Sequence, residues 1–79
     1  MQRYRVHMIN SEFSSAEDGN YASVEAALQS GLRAAVGVVC DQVARGDTNS
    51  AIEIRVEEKD QVVARRVIAF SVSDLATEE

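Results

Sequence analysis

The sequence has no proline, no tryptophan, one cysteine and one histidine. Average usage would place about four prolines in a chain this long, so no turn rests on X-Pro geometry. A single cysteine, Cys40, excludes an intrachain disulfide. With a single histidine, His7, it also excludes a Cys/His zinc site built within one chain. Disulfides and metals are the usual supports of domains this small, whose cores are limited. Packing and self-association are the sources of stability that remain. The four glycines, at 19, 31, 37 and 46, are too scattered for a phosphate-cradling loop. The only aromatics are Tyr4, Phe13, Tyr21 and Phe70.

Other absences narrow the class. The longest apolar-rich stretch, Ala34 to Cys40, is too short to span a bilayer and contains Gly37. The N-terminus has no apolar core of a signal peptide. A soluble, cytoplasmic protein that binds no membrane is therefore expected. At 79 residues there is room for one domain only, expected over 1–75, with a frayed acidic tail over 76–79. Acids outnumber bases by 13 to 8, for a net charge of -5, which disfavours bulk binding to polyanions. A hydrophobic fraction of 46% separates the chain from disordered acidic tails.

What is present is periodicity. From Arg3 to Ile9 the residues alternate, with Tyr4, Val6 and Met8 on one face and Arg3, Arg5, His7 and Ile9 on the other. That is a strand. Asn10-Ser11 signals a turn, and a short strand around 12–15 is an open alternative. Glu17-Asp18-Gly19-Asn20 reads as a loop. Ser23 is placed to cap a helix, with Glu25 in its first turn. Val24, Leu28, Leu32, Ala35, Val39 and Val43 recur at steps of three and four, and Gly46 follows as a terminator. The spacing predicts a helix over about 24–45. Gln42 is expected away from the centre of its apolar stripe and Cys40 on the margin. Gly31 and Gly37 inside it each cost about 1 kcal/mol relative to Ala, which points to close approach of the sheet or another helix.

Ile52, Ile54 and Val56 then alternate with Glu53, Arg55 and Glu57, and a polar turn over 58–61 leads to a last strand over about 62–72. So short a turn makes an antiparallel hairpin. The fold class is α+β: a two-layer domain with an antiparallel-rich sheet of three or four strands, β-(β)-α-β-β, and one long helix packed on one face. The last strand is apolar on both parities, so it is expected in the middle of the sheet. Arg65 and Arg66 are neighbours and point to opposite faces. A bulge nearby, or a side chain escaping at the rim, is needed to spare one of them burial.

Several strings resemble a family of small bacterial proteins, domain-of-unknown-function family 6894. They are Arg3-Tyr4-x-Val6-His7-Met8, Glu17-Asp18-Gly19, Ser23-Val24-Glu25-Ala26-Ala27, Leu32-Arg33-Ala34-Ala35, Ile52-Glu53-Ile54-Arg55-Val56 and Val62-Val63. The sequence departs from that pattern where Lys59-Asp60-Gln61 replaces a Gly-containing turn and Ala69-Phe70-Ser71 replaces Pro-Phe-Ser. The resemblance implies the same architecture and no activity. Asp18 to Ala27 is also similar to the HicB-type antitoxin pattern, which implies the alternative function of a regulatory protein contacting nucleic acid or a protein partner.

No constellation for catalysis emerges. His7 is the one side chain suited to proton transfer near neutral pH, and a dyad with Cys40 lacks any activating environment for the thiol. Glu53 and Glu57 flank Arg55 and read as solvated cross-strand ion pairs. The candidate site is a basic face: Arg3, Arg5, His7, Arg55 and Arg65 on the side of the sheet away from the helix. RNA binding by a sheet face takes exposed aromatics, and Tyr4 and Phe70 are expected in the core. The expected function is a small, non-enzymatic, self-associating interaction module, a homodimer with no cofactor. A further protein partner is left open, and nucleic acid is disfavoured.

Overall fold

A computed structural model describes residues 1–77. Its elements are β1 (Gln2–Ile9), β2 (Ser14–Tyr21), α1 (Val24–Ala44), β3 (Asn49–Glu58) and β4 (Gln61–Ser71). They form a four-stranded antiparallel sheet in the order β2-β1-β3-β4, with α1 across one face. The α+β class and the element order agree with the sequence pattern. Residues 72–77 follow β4 without regular structure, and the remainder of the expected acidic tail lies outside the described residues.

The core lies between α1 and the helix-facing rows of β1 and β3. Ile52, Ile54 and Val56 are completely buried, with Tyr4, Ala27, Leu28 and Ala35 against them. The cleanest alternation in the sequence thus belongs to a central strand with one covered face.

Two hairpins carry the sheet. In the first, the Asn10 Oδ1 accepts from the backbone N–H groups of Glu12 and Phe13 at 2.8 and 2.9 Å. This local bond turns the chain at the expected Asn10-Ser11 position. In the second, Lys59 and Asp60 both take left-handed backbone angles, φ 52° and 65°, which matches the twist of the flanking strands as a type I′ turn does.

Helix α1 starts where Ser23 Oγ accepts from the Ala26 N–H at 3.0 Å. It ends on Gly46, with φ 95°, where the N–H groups of Gly46 and Asp47 donate to the carbonyls of Val43 and Gln42. This is a Schellman closure on a glycine that tolerates the left-handed region.

Several expectations are corrected. Residues 17–20 are not a loop: the second strand runs the full length from Ser14 to Tyr21, not 12–15. Pairing with β1 supplies what its own pattern lacks, because Asp18 is held by Arg5 and Gly19 lies opposite Tyr4, with the Tyr21 ring over it. Strand β4 is at the edge, not in the middle, and β1 pairs with β3. Its second apolar row, Val62 and Val67, is left exposed.

Most of the expected apolar stripe of the helix packs on the core: Leu28 and Ala35 are buried, and Val24, Leu32 and Val39 lie against it. Gln42 is buried too, against expectation, whereas Val36, Cys40 and Val43 are exposed. The small residues Ala27, Gly31 and Ala35 let the backbone approach the sheet. Of the two interior glycines, only Gly31 meets the sheet; Gly37 has no neighbour within 4 Å of where its Cβ would be.

The register of β3 with β4 shifts between Val56 and Glu57, leaving Val63 as the extra residue of a bulge. Beyond it Arg65 pairs with Arg55 on the open face and Arg66 with Ile54 on the helix side. Arg66 escapes at the rim, where its guanidinium donates to both oxygens of Glu25 on α1, at 3.3 and 3.0 Å.

Candidate functional site

The strand alternation that sends Tyr4, Val6 and Met8 to the core sends Arg3, Arg5 and His7 to the uncovered face. The β1–β3 register sets Arg5 opposite Glu57 and His7 opposite Arg55. The β3–β4 register sets Arg55 opposite Arg65. All five residues expected on a basic face therefore share the face opposite the helix.

They are not free. Arg5 donates to Asp18 through Nε at 2.8 Å and Nη2 at 3.3 Å, and Arg3 Nη2 reaches the same carboxylate at 3.4 Å. Glu53 accepts from Arg55 Nε at 2.8 Å and from Arg65 through Nε at 2.8 Å and Nη2 at 3.1 Å. The Nε2 of His7 lies against the Glu57 carboxylate. The four arginines thus share two carboxylates, Asp18 and Glu53, and with Glu57 beside His7 the patch is close to neutral.

The electrostatics follow from these bonds. Hydrogen bonds from Arg65 and then Arg55 hold the Glu53 carboxyl at about 2, well below its ordinary 4.5. Asp18 is lowered chiefly by the hydrogen bond from Arg5. The same carboxylates raise Arg5 and Arg65. Exposed pairs contribute little individually, but a shared network fixes the side chains of the face in one arrangement.

Sequence reasoning placed Glu53 and Glu57 correctly as ion-pairing residues and gave both to Arg55. The fold divides them, with Glu53 bridging Arg55 and Arg65 and Glu57 going to His7. Asp18 was missed because it reaches Arg5 only once residues 17–20 are a strand. The signal available was the unpaired cation pair Arg3 and Arg5, which needed an acid on the neighbouring strand.

His7 and Cys40 do not meet. The first is on the open face of the sheet, and the second is exposed on the outer side of the helix, with the sheet between them. Among the described residues no three His, Cys, Asp or Glu side chains gather into a metal-holding group. No described helix is long and apolar enough to cross a membrane.

The other conspicuous surface is β4. It is an edge strand of 11 residues with no acid, and Val62, Val63 and Val67 are 51%, 42% and 61% exposed. The opposite edge, β2, is shorter and carries Glu17, Asp18 and Gly19. A long apolar edge without lysine or proline is one that another strand can extend.

The chain matches no family model, no curated protein and no solved structure.

Proposed function

We propose that the protein is a small, non-catalytic interaction module that works as a self-associated unit, a homodimer. The observation that carries this reading is β4, a long apolar strand with an unpaired outer edge in a protein whose charged face is already paired internally. Proteins normally protect such an edge with charge, proline or a covering element. Here both arginines of the strand are neutralised within the chain, by Glu53 and Glu25. The small core adds a reason, since association buries apolar surface that folding alone leaves in water.

The same ion pairs weigh against the antitoxin-like alternative. Binding to a polyanion requires cations free to replace counterions, and each open-face arginine already has a carboxylate beside it. Size-exclusion chromatography with light scattering at low micromolar concentration tests self-association. A dimer mass is expected, and a strict monomer overturns the reading.

A further inference from the structure

We propose that the homodimer is built on a two-fold junction of β4 with β4 of a second copy, centred on Val67 and flanked by the exposed side of α1. The proposal rests on the self-association reading above and names its surface and register.

Two observations converge on the β4 edge. The first is the edge itself. The second is the direction of the exposed valines on α1. Glu25, Leu32, Val36 and Val43 fall at helical spacings that make one stripe. Glu25 is bound to Arg66 of β4, so this stripe looks toward the β4 edge. Val36 and Val43, 45% and 44% exposed, therefore overhang the strand that lacks a partner. The other flank of the helix faces β2, where the Tyr21 and Ser30 hydroxyls meet at 3.4 Å. A stable interface takes about 800 Å² per partner, more than one strand pairing supplies. The α1 flank supplies the second part.

The register follows from parity and charge. In a continuous sheet with both helices on one face, directly opposed residues point the same way. A two-fold axis then passes beside a residue that meets its own counterpart. The bulge at Val63 leaves a regular segment from Ala64 to Ser71, whose middle is Val67 and Ile68. An axis at Arg65 or Arg66 would stack like charges directly opposite, which is destabilising. An axis at Val67 sets the most exposed valine of the sheet against itself and each Arg65 against Ala69 of the other copy. Two copies then share one eight-stranded sheet.

The occupant of the edge is a second β4 rather than a second β2. Pairing β4 with β2 is head-to-tail and builds a ring or a filament, not a two-fold dimer. The acid of β2 that would attract arginine on this face, Asp18, is already bound to Arg5 and Arg3.

The test uses the full chain with Cys40→Ser, into which Val67→Cys or Ala16→Cys is introduced. Under mild oxidation V67C is expected to give a covalent dimer and A16C, on the β2 edge, to stay uncrosslinked. In the parent chain, V67K is expected to raise the dissociation constant at least about tenfold by setting like charges opposite each other. Its far-UV circular dichroism should be unchanged, because Val67 is outside the core. Val36→Asp is expected to weaken association in the same direction. A parent dimer that survives V67K, with no covalent dimer from V67C, overturns the β4 junction and leaves self-association standing. Covalent ladders from a chain carrying both V67C and A16C, with no covalent dimer from V67C alone, overturn the two-fold arrangement in favour of head-to-tail pairing. A monomeric parent overturns both proposals.

Discussion

At the scale of single residues, two glycines in one helix have opposite surroundings. A Cβ at Gly31 would stand 2.7 Å from Ile54 Cγ2 and 2.9 Å from Val6 Cγ1. Both are β-branched side chains of the packed sheet face, with little freedom to swing aside. Gly31→Ala is therefore expected to destabilise the protein by about 1–3 kcal/mol, overpacking outweighing the gain in helix propensity. Gly37→Ala meets nothing within 4 Å and is expected to stabilise by about 0.5–1 kcal/mol. Urea unfolding of the two variants at one protein concentration measures both. Equal effects would remove the close approach as the reason for Gly31. Gly19 is a third case, where the missing Cβ leaves room for the Tyr21 ring, whose centroid lies 6.4 Å from that of Tyr4. The aromatic covers the gap that glycine leaves in the strand.

At the scale of elements, the open face of the sheet ties β3 to β4 through Glu53, which binds Arg55 and Arg65. Its carboxyl is held at about 2 in the fold against an ordinary 4.5. The stability it contributes is present above the ordinary value and is lost as pH falls from about 4.5 toward 2, where the carboxylate takes a proton in both states. Asp18, lowered by Arg5, adds in the same direction. Urea midpoints should therefore fall across this acid range, and Glu53→Gln should flatten the slope while lowering the midpoint at neutral pH. An unchanged slope in the variant would show that other carboxylates carry the acid response.

The elements also show where sequence periodicity is informative. β1, β3 and the extent of α1 are legible because each buries one row of large apolar residues against a polar row. β2 is not legible, since Ser14 to Tyr21 has almost no apolar side chain. It is a strand because β1 offers it a ladder and two arginines. The rank of β4 in the sheet is hidden for a related reason: apolar character on both parities does not distinguish a buried strand from an exposed edge. Arg3, Arg5, His7, Arg55 and Arg65 could be placed on one face by alternation alone. Their neutralisation could not, because it depends on registers between distant strands.

At the scale of the whole molecule, one ladder joins the two halves of the chain. β1 with β2 and β3 with β4 are hairpins between sequence neighbours, whereas β1 meets β3 across the entire helix, over five residue pairs from Arg5 with Glu57 to Ile9 with Glu53. Closing that seam costs the entropy of a long loop before any of its contacts form. The order of folding follows. The hairpin of β3 and β4, docked on α1 through Ile68 and the Arg66–Glu25 pair, forms ahead of the seam. Ile68→Val should slow refolding, while Val6→Ala, at the seam, should chiefly speed unfolding, as read from stopped-flow kinetics in urea. The reverse pattern would place the seam in the nucleus. Until the seam closes, β3 has an unpaired side as well as β4. The chain then exposes two apolar edges where the native protein exposes one, and the interval before β1 arrives is when it is most open to pairing with the wrong strand.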